Sequence, residues 1–240
     1  MLAHPAVRLA LSPVLLAQAV QVRRRALVLP EAAGPRSGVA GQGPVLRLLI
    51  AGDSSAAGVG VAHQDQALAG QLVAALARDF AVHWRLIART GATTAQTLAT
   101  LRAQPLDPVD VAVTALGVND VLRQVPLRRW AADQAALAEL LTGAGARVVL
   151  RSGLPPMQRF PLLPRPLRDV LGAQAAAMDA VLAAAGTAHL RHLPFDPARL
   201  DPAMMAEDGF HPGAPIYAAW GAEAAATLRQ ALHAGGFPAT

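Results

Sequence analysis

The sequence predicts an α/β fold in which helices cover both faces of an open, doubly wound sheet of five parallel strands. Short apolar runs rich in Val, Leu and Ile alternate five times with longer Ala/Leu-rich segments of helical spacing. The 240 residues are 53% hydrophobic and only 15% charged, so the chain can bury the core of one large domain.

The predicted strands are bounded by Gly, Pro, Asp or Asn, as expected for strands that are buried on both faces of a parallel sheet. They are residues 45–51, 82–88, 109–116, 147–150 and 188–193. The predicted helices are residues 64–80, 93–103, 127–142, 167–185 and 214–233. Right-handed crossovers between such strands place the functional loops at the carboxyl ends of the strands.

An apolar stretch, residues 9–22, precedes this pattern and is followed at once by three arginines at 23–25. The stretch is too short to cross a bilayer. It favours an uncleaved surface helix that lies on the domain, or that makes weak contact with a membrane surface through residues 9–25. That interpretation predicts a cytoplasmic protein, peripheral to the membrane. A signal peptide with a small-residue cleavage site at 17–19 and a membrane anchor are the alternatives.

The segment between the apolar stretch and the first strand, residues 30–44, is rich in Pro and Gly. This composition is typical of a linker. The sequence therefore predicts an N-terminal extension over residues 1–44 and a single folded domain over residues 45–240.

The charge pattern argues against a nucleic-acid partner. The net charge is +5 and every basic residue is Arg, but the arginines are scattered and form no basic stripe. Aromatic residues make up only 4%, which leaves little material for stacking bases. Because cysteine is absent, a disulfide, a thiolate nucleophile and a cysteine-based metal site are excluded. The sequence does not indicate an oligomeric state.

Small and polar residues follow three consecutive predicted strands. GDSS occupies residues 52–55, RTGA occupies 89–92 and GVND occupies 117–120. A fourth motif, DGFHP at residues 208–212, comes just before the last predicted helix. Since the carboxyl ends of parallel strands meet at one edge of a sheet, we expect these motifs to lie together.

These motifs contain the residues that acyl transfer requires. Ser54, at a predicted strand-to-helix turn, is the candidate nucleophile, and His211 is the candidate general base. Asp208 lies three residues before His211, close enough to bind Nδ1–H and leave Nε2 for the serine. The candidate oxyanion donors are the N–H groups of Ser54 and Gly91 and the side-chain amide of Asn119. Asp53 and Asp120 are predicted to be structural.

The four motifs, in this order and spacing, resemble the four sequence blocks of the SGNH (GDSL-type) hydrolase family. The family's four name residues correspond to Ser54, Gly91, Asn119 and His211, with Asp208 completing the triad. The resemblance spans the chain from about Val45 to the C-terminus. It implies a three-layer α/β/α fold and hydrolysis of esters or thioesters without a metal or other cofactor. Ser55 replaces the leucine of the commonest family motif, which leaves two adjacent hydroxyls.

The substrate expected is a small-molecule ester, with a short or lipid-like acyl group. A long Pro-rich loop spans residues 154–166. It is predicted to form one wall of an acyl pocket, through Met157, Phe160, Leu162 and Leu163. The alternative is a loop that packs on its own domain. Lysophospholipids, thioesters and acetyl groups on sugars stay open as substrates. The alternative to an enzyme is a non-catalytic, membrane-associated binding protein of the same fold.

Overall fold

The computed structural model describes residues 5–237 and has a central six-stranded sheet between helices. The strand order is β1-β3-β2-β4-β5-β6. The strands are β1 Ser37–Ala40, β2 Val45–Gly52, β3 Ala81–Ala88, β4 Val111–Ala115, β5 Val148–Ser152 and β6 Leu190–Leu193. The five strands β2 to β6 are parallel, as predicted, and β1 pairs antiparallel to β3 at one edge. The predicted α/β class is therefore confirmed.

Seven α-helices accompany the sheet in the described part of the chain. They are α1 Pro5–Arg25, α2 Leu68–Leu76, α3 Thr94–Arg102, α4 Val118–Leu122, α5 Leu127–Gly143, α6 Leu167–Ala184 and α7 Ala214–Ala234. The short helix α4 was not expected from the sequence. The first predicted helix, at 64–80, is shorter in the structure, where only α2 is helical. Gln64, predicted to begin this helix, lies outside it. Its side chain is buried and donates to the carbonyl oxygens of Ala32 and Ala57 instead of facing solvent.

The alternation of side chains along the strands builds the core on both sides of the sheet. In β2, Leu48 and Ile50 pack on one face, in a cluster with the buried side chains of α2 and α7. Leu49 and Ala51 point to the other face, in a cluster with α3 and α5. This arrangement gives three layers, with the apolar face of each helix buried against the sheet.

The predicted linker at 30–44 is wrong, because much of this segment belongs to the folded domain. Ser37–Ala40 is strand β1, and Ala32 is buried. The carboxylate of Glu31 accepts hydrogen bonds from the backbone N–H of Thr90 (2.7 Å) and from its hydroxyl (2.8 Å). A Pro- and Gly-rich composition does not exclude a short edge strand, because such a strand pairs on one side only and needs little burial.

The N-terminal helix α1 lies along α6. Leu15 and Val22 pack against the apolar cluster that includes α6. The side-chain amide of Gln18 donates to the carbonyl of Arg165 (2.5 Å) and accepts from the N–H of Leu167 (3.0 Å). Within residues 5–237, none of the helices combines the length and the hydropathy that a bilayer crossing requires.

Candidate active site

The sheet register aligns three strand ends at one edge. Gly52, the last residue of β2, pairs with Ala88 of β3 on one side and with Ala115 of β4 on the other. A Cβ atom on Gly52 would lie 2.5 Å from the carbonyl oxygen of Ala115, so only glycine permits this close approach. The residues that follow the three strands therefore leave the sheet at the same level.

Ser54 follows β2 in a tight turn and is largely buried. The backbone N–H of Ala57 donates to the carbonyl of Asp53 (2.9 Å), and that of Val59 donates to the carbonyl of Ser54 (3.0 Å). The expected helix does not begin here, since α2 starts only at Leu68. Turn residues, rather than the N-terminus of a long helix, thus orient the Ser54 hydroxyl.

Ser54, His211 and Asp208 form one hydrogen-bonded chain. The Oγ atom of Ser54 lies 2.9 Å from Nε2 of His211, and Nδ1 of His211 lies 2.5 Å from Oδ2 of Asp208. A carboxylate can only accept, so Nδ1 carries the proton and Nε2 is free to accept from the serine hydroxyl. The three side chains predicted to work together are in contact.

The Asp208 carboxylate is held in its charged form. Burial raises its pKa, but hydrogen bonds from the His211 ring and from the backbone N–H groups of His211 and Phe210 outweigh burial and lower the pKa below its ordinary value. Both N–H groups lie 2.9 Å from Oδ1. The carboxylate is thereby fixed in place and ready to stabilise a positive charge on the imidazole.

Two contacts hold the His211 loop against the turn that carries Ser54. A Cβ atom at Gly60, where φ is +105°, would lie 2.2 Å from the carbonyl oxygen of Pro212. The hydroxyl of Tyr217, near the start of α7, donates to the carbonyl of Val59 (2.7 Å). Because only glycine fits at position 60, the turn after β2 packs directly on the loop from the far end of the chain.

The predicted oxyanion donors lie on the adjacent strand ends. Gly91 has φ +77°, and a Cβ atom there would meet no atom within 4 Å, so the α-carbon of Gly91 borders open space. Within residues 5–237, the N–H groups of Ser54 and Gly91 donate to no protein acceptor. Asn119 lies in α4, and one amide hydrogen donates to Oδ2 of Asp53 (3.2 Å), which leaves the other free.

Asp53 is buried behind the predicted nucleophile and connects two parts of the site. Besides the amide of Asn119, it accepts the N–H (3.0 Å) and the hydroxyl (2.7 Å) of Ser55. Burial raises the pKa of Asp53, although these hydrogen bonds and the nearby His211 oppose the rise. The Ser55 hydroxyl thus faces Asp53, whereas the Ser54 hydroxyl faces His211.

Asp120 connects the α4 turn to α3. Its Oδ2 atom accepts from the backbone N–H (3.0 Å) and the hydroxyl (3.0 Å) of Thr94, the first residue of α3. The Thr94 hydroxyl in turn accepts from the indole N–H of Trp130 (3.1 Å) and from the amide of Gln134 (3.2 Å). Burial raises the pKa of Asp120 to about 6, against the opposing hydrogen bonds from Thr94.

A narrow, mostly apolar pocket opens beside Ser54 and His211. Its cavity volume is about 80 Å³, room for only a few atoms the size of water. One wall is the face of α7 with Ile216, Trp220 and Glu223, and the facing wall is the segment after β6. Glu223 is seven positions after Ile216, so the pocket runs about 10 Å along α7 at 1.5 Å per residue.

Two charged side chains that line this pocket, Arg199 and Glu223, form an ion pair. Nη1 of Arg199 donates to Oε2 of Glu223 at 2.8 Å, and Nη2 of Arg199 contacts Oε1. A shallow depression shares Glu223 and residues 193–196 with the pocket. These shared residues therefore form a thin partition between the pocket and the protein surface.

The 154–166 loop, predicted as one wall, contributes Leu154, Pro155 and Phe160 to the pocket lining. Of the four residues predicted to form the wall, Phe160 lies in that lining. Met157 and Leu163 are buried in the apolar cluster with α6, and Leu162 lies outside the pocket lining. The loop therefore does both of the things considered from the sequence: some of its residues line the pocket and others pack on its own domain.

Sequence reasoning also missed a second imidazole–carboxylate pair behind the pocket. Nε2 of His192 lies 2.8 Å from Oδ1 of Asp179, and the same oxygen accepts from the N–H of Leu154 (2.9 Å), a pocket residue. The two lie 13 positions apart, and nothing in their local sequence links them. Among the residues that the structure describes, no group of three or more acidic, His or Cys side chains is placed to hold a metal ion.

Known proteins share this fold and part of this sequence. The sequence profile of the GDSL-like Lipase/Acylhydrolase family matches residues 50–219. The solved structure of TesA is 26% identical, with a TM-score of 0.64 over 78% of this chain and 99% of that chain. The psychrotrophic esterase EstA from Pseudoalteromonas sp. is 19% identical, with a TM-score of 0.55 over 78% and 98% of the two chains.

A carbohydrate esterase of family 3 from Talaromyces cellulolyticus has a TM-score of 0.55 at 15% identity, over 78% of this chain and 98% of that chain. At such low identity, the likenesses to this esterase and to EstA show a shared fold. A search of curated proteins found no match by sequence.

Proposed function

Because the chain belongs to the GDSL-like lipase/acylhydrolase family, whose members hydrolyse carboxylic esters, we propose that Ser54, His211 and Asp208 act as its catalytic triad. A serine triad and an oxyanion hole are typical of this family. The observation that carries the proposal is the 2.9 Å separation between the Ser54 hydroxyl and the free ring nitrogen of His211.

In the proposed mechanism, the Ser54 oxygen attacks the acyl carbon while His211 takes its proton on Nε2. Asp208 stabilises the imidazolium that forms. His211 then gives the proton to the leaving alcohol, and the acyl group stays on Ser54. A water molecule, deprotonated by the same imidazole, attacks the acyl-enzyme and releases the acid, which restores the serine.

The developing oxyanion would be bound by the N–H groups of Ser54 and Gly91 and by the free amide hydrogen of Asn119. Support comes from the two N–H groups that lack a protein acceptor within residues 5–237. Asp53 orients the Asn119 amide by accepting its other hydrogen. Donors fixed in advance in this way stabilise the transition state without having to reorganise.

We propose esters with short, apolar acyl groups as the substrates. The pocket beside Ser54 is mostly apolar, and the Arg199–Glu223 pair that lines it would limit how far an acyl chain can extend along α7. An acyl chain that reached this pair would bring methylene groups against two charges, which offers no gain from burial. A longer chain would need the partition to open.

Hydrolysis of p-nitrophenyl acetate and butyrate by purified protein tests the nucleophile. We expect Ser54→Ala to lower kcat by at least about a thousandfold, because the attacking oxygen is lost. Ser55→Ala is the matched control, since its hydroxyl binds Asp53 and not His211, and should lower kcat only several-fold. Turnover that survives in Ser54→Ala would remove Ser54 from the mechanism.

A series of p-nitrophenyl esters from acetate to palmitate tests the acyl group. We expect activity to be highest for acetate and butyrate and to fall at octanoate. Glu223→Ala should raise the ratio of octanoate to butyrate activity several-fold, because each newly buried methylene contributes about 0.8 kcal/mol. Glu139→Ala, an exposed change elsewhere, is the control. An unchanged ratio in Glu223→Ala would show that the ion pair does not limit chain length.

The same assay with acyl thioesters and with acetylated sugars separates the other substrate classes. A preference for either, at equal acyl length, would replace the simple ester as the proposed substrate. Absence of turnover on every ester in the wild-type protein would instead favour the non-catalytic binding protein.

A further inference from the structure

The outward side of helix α1 is apolar and uncovered. Leu11, Leu15, Gln18 and Val22 are partly buried against the domain, spaced four, three and four residues apart along one side of the helix. Leu16 and Val20 lie on the opposite side, with 67% and 42% of their surface exposed. Apolar side chains therefore lie on both sides of α1, and those on the outward side are exposed in the described part of the chain.

Exposed apolar side chains concentrate around this helix. Among the described residues, ten large hydrophobic side chains are exposed, and five of them lie within residues 14–28. Besides Leu16 and Val20, they are Val14, Leu27 and Val28, the last with 91% of its surface exposed. Single exposed hydrophobic residues are normal, but a cluster of this kind marks an interaction surface.

The charge of the same segment is entirely positive. Residues 1–30 contain four arginines and no acidic residue, and Arg23, Arg24 and Arg25 fill the last turn of α1. Within residues 5–237, these three arginines form no ion pair. Basic residues in the last turn complement the helix dipole, which accounts for their position but not for the exposed Leu and Val side chains beside them.

We propose that the outward side of α1, with residues 23–28, docks on the surface of an anionic lipid bilayer. In this arrangement α1 lies in the plane of the interface, Leu16 and Val20 enter the acyl boundary, and the arginines contact the lipid phosphates. The domain-facing side of α1 keeps its contacts with α6, so docking requires no unfolding. Apolar side chains beside a purely basic cluster match the chemistry of such a surface.

Co-sedimentation of the full-length protein with vesicles tests this proposal. One set of vesicles contains phosphatidylcholine alone, and the other contains phosphatidylcholine with one-third phosphatidylglycerol. We expect binding to the anionic vesicles at low salt, and weaker binding as the ionic strength rises. Equal binding to both vesicle types, or none to the anionic set, would overturn the proposal.

Two variants identify the surface that binds. The combined change Leu16→Gln and Val20→Gln should weaken vesicle binding at least about tenfold, because two apolar side chains no longer enter the boundary. The matched control is Val39→Gln with Val45→Gln, which alters two similarly exposed side chains in β1 and β2 instead of α1 and should leave binding unchanged.

The arginines are tested in the same way. Changing Arg23, Arg24 and Arg25 to Gln should weaken binding by about fivefold per residue. The control changes three exposed arginines elsewhere, Arg78, Arg102 and Arg128, to Gln, and so alters the net charge equally. If both triple variants lose binding to the same extent, net charge and not α1 is responsible.

Hydrolysis of a soluble ester should be unchanged in every variant, which shows that each one is folded. Size-exclusion chromatography of the wild-type protein without lipid tests the alternative that a second copy of the chain, and not a bilayer, covers the outward side of α1. A dimer that Leu16→Gln with Val20→Gln converts to a monomer would show that a second copy of the chain covers this side, and would overturn the bilayer proposal.

Discussion

Replacing Asp120 with Asn should remove a large part of the pH dependence of folding stability. The Asp120 carboxyl is buried between α4 and α3 and binds both the N–H and the hydroxyl of Thr94. Its pKa is raised from 3.8 to about 6, chiefly by burial. The folded protein therefore binds this proton more tightly than the unfolded chain does.

This difference in pKa determines the sign and the size of the contribution that Asp120 makes to the free energy of unfolding. Because the folded-state pKa is the higher one, Asp120 contributes its full stabilisation below about pH 4 and loses it as the pH rises to about 6. At 1.36 kcal/mol per pH unit, the loss from this carboxyl has an upper limit of about 3 kcal/mol. An Asn side chain carries no such charge, and its oxygen still accepts from Thr94.

Urea unfolding of the wild type and of Asp120→Asn at pH 4 to pH 8 measures the effect. The free energy of unfolding of the wild type should fall relative to the variant between pH 4 and pH 6, and the difference should stay constant above that range. Asp107→Asn, a change at an exposed carboxyl, should follow the wild-type curve. Parallel curves for the wild type and Asp120→Asn would refute the reasoning.

Three further substitutions test the site. Asn119→Ala should lower kcat about a hundredfold to a thousandfold with little change in KM, since a donor to the oxyanion is lost; a change confined to KM would contradict this. Asp208→Asn should lower kcat roughly a thousandfold or more, because His211 loses the carboxylate that fixes its tautomer, and activity within tenfold of the wild type would argue against the triad. Gly117→Ala should lower the free energy of unfolding in urea by about 1–3 kcal/mol. The reason is that φ at this position is +127° and the new Cβ would lie 2.9 Å from the Leu154 side chain. Unchanged stability would show that this turn relaxes easily.

The sequence predicted the five parallel strands because each is a short apolar run that must be buried on both faces. It also predicted which residues would meet, since Ser54, Gly91 and Asn119 follow neighbouring strands and the carboxyl ends of such strands share one edge. His211 was identified by its chemistry and its nearby Asp208, since no rule of local structure placed it beside Ser54.

The features that the sequence did not predict depend on contacts between distant residues. Strand β1 carries no apolar alternation and exists because β3 offers it an unpaired edge. The acyl-pocket wall was predicted at Met157, Phe160, Leu162 and Leu163 because they are apolar, yet packing against α6 buries Met157 and Leu163. The pocket beside Ser54 is also lined by Trp220 and Glu223, whose helical spacing on α7 is ordinary, and only the fold turns this side of α7 towards Ser54.

The direct packing of Gly60 on Pro212 has a consequence for the protein while it is being synthesised. The hydroxyl of Ser54 leaves the ribosome long before the His211 imidazole that we propose activates it, since 157 positions separate the two residues. The early part of the chain can form its strands yet remain chemically inert towards esters, since no base lies beside the serine. Hydrolytic competence would then arise in one step, when α7 docks, so the onset of turnover would report the completion of folding.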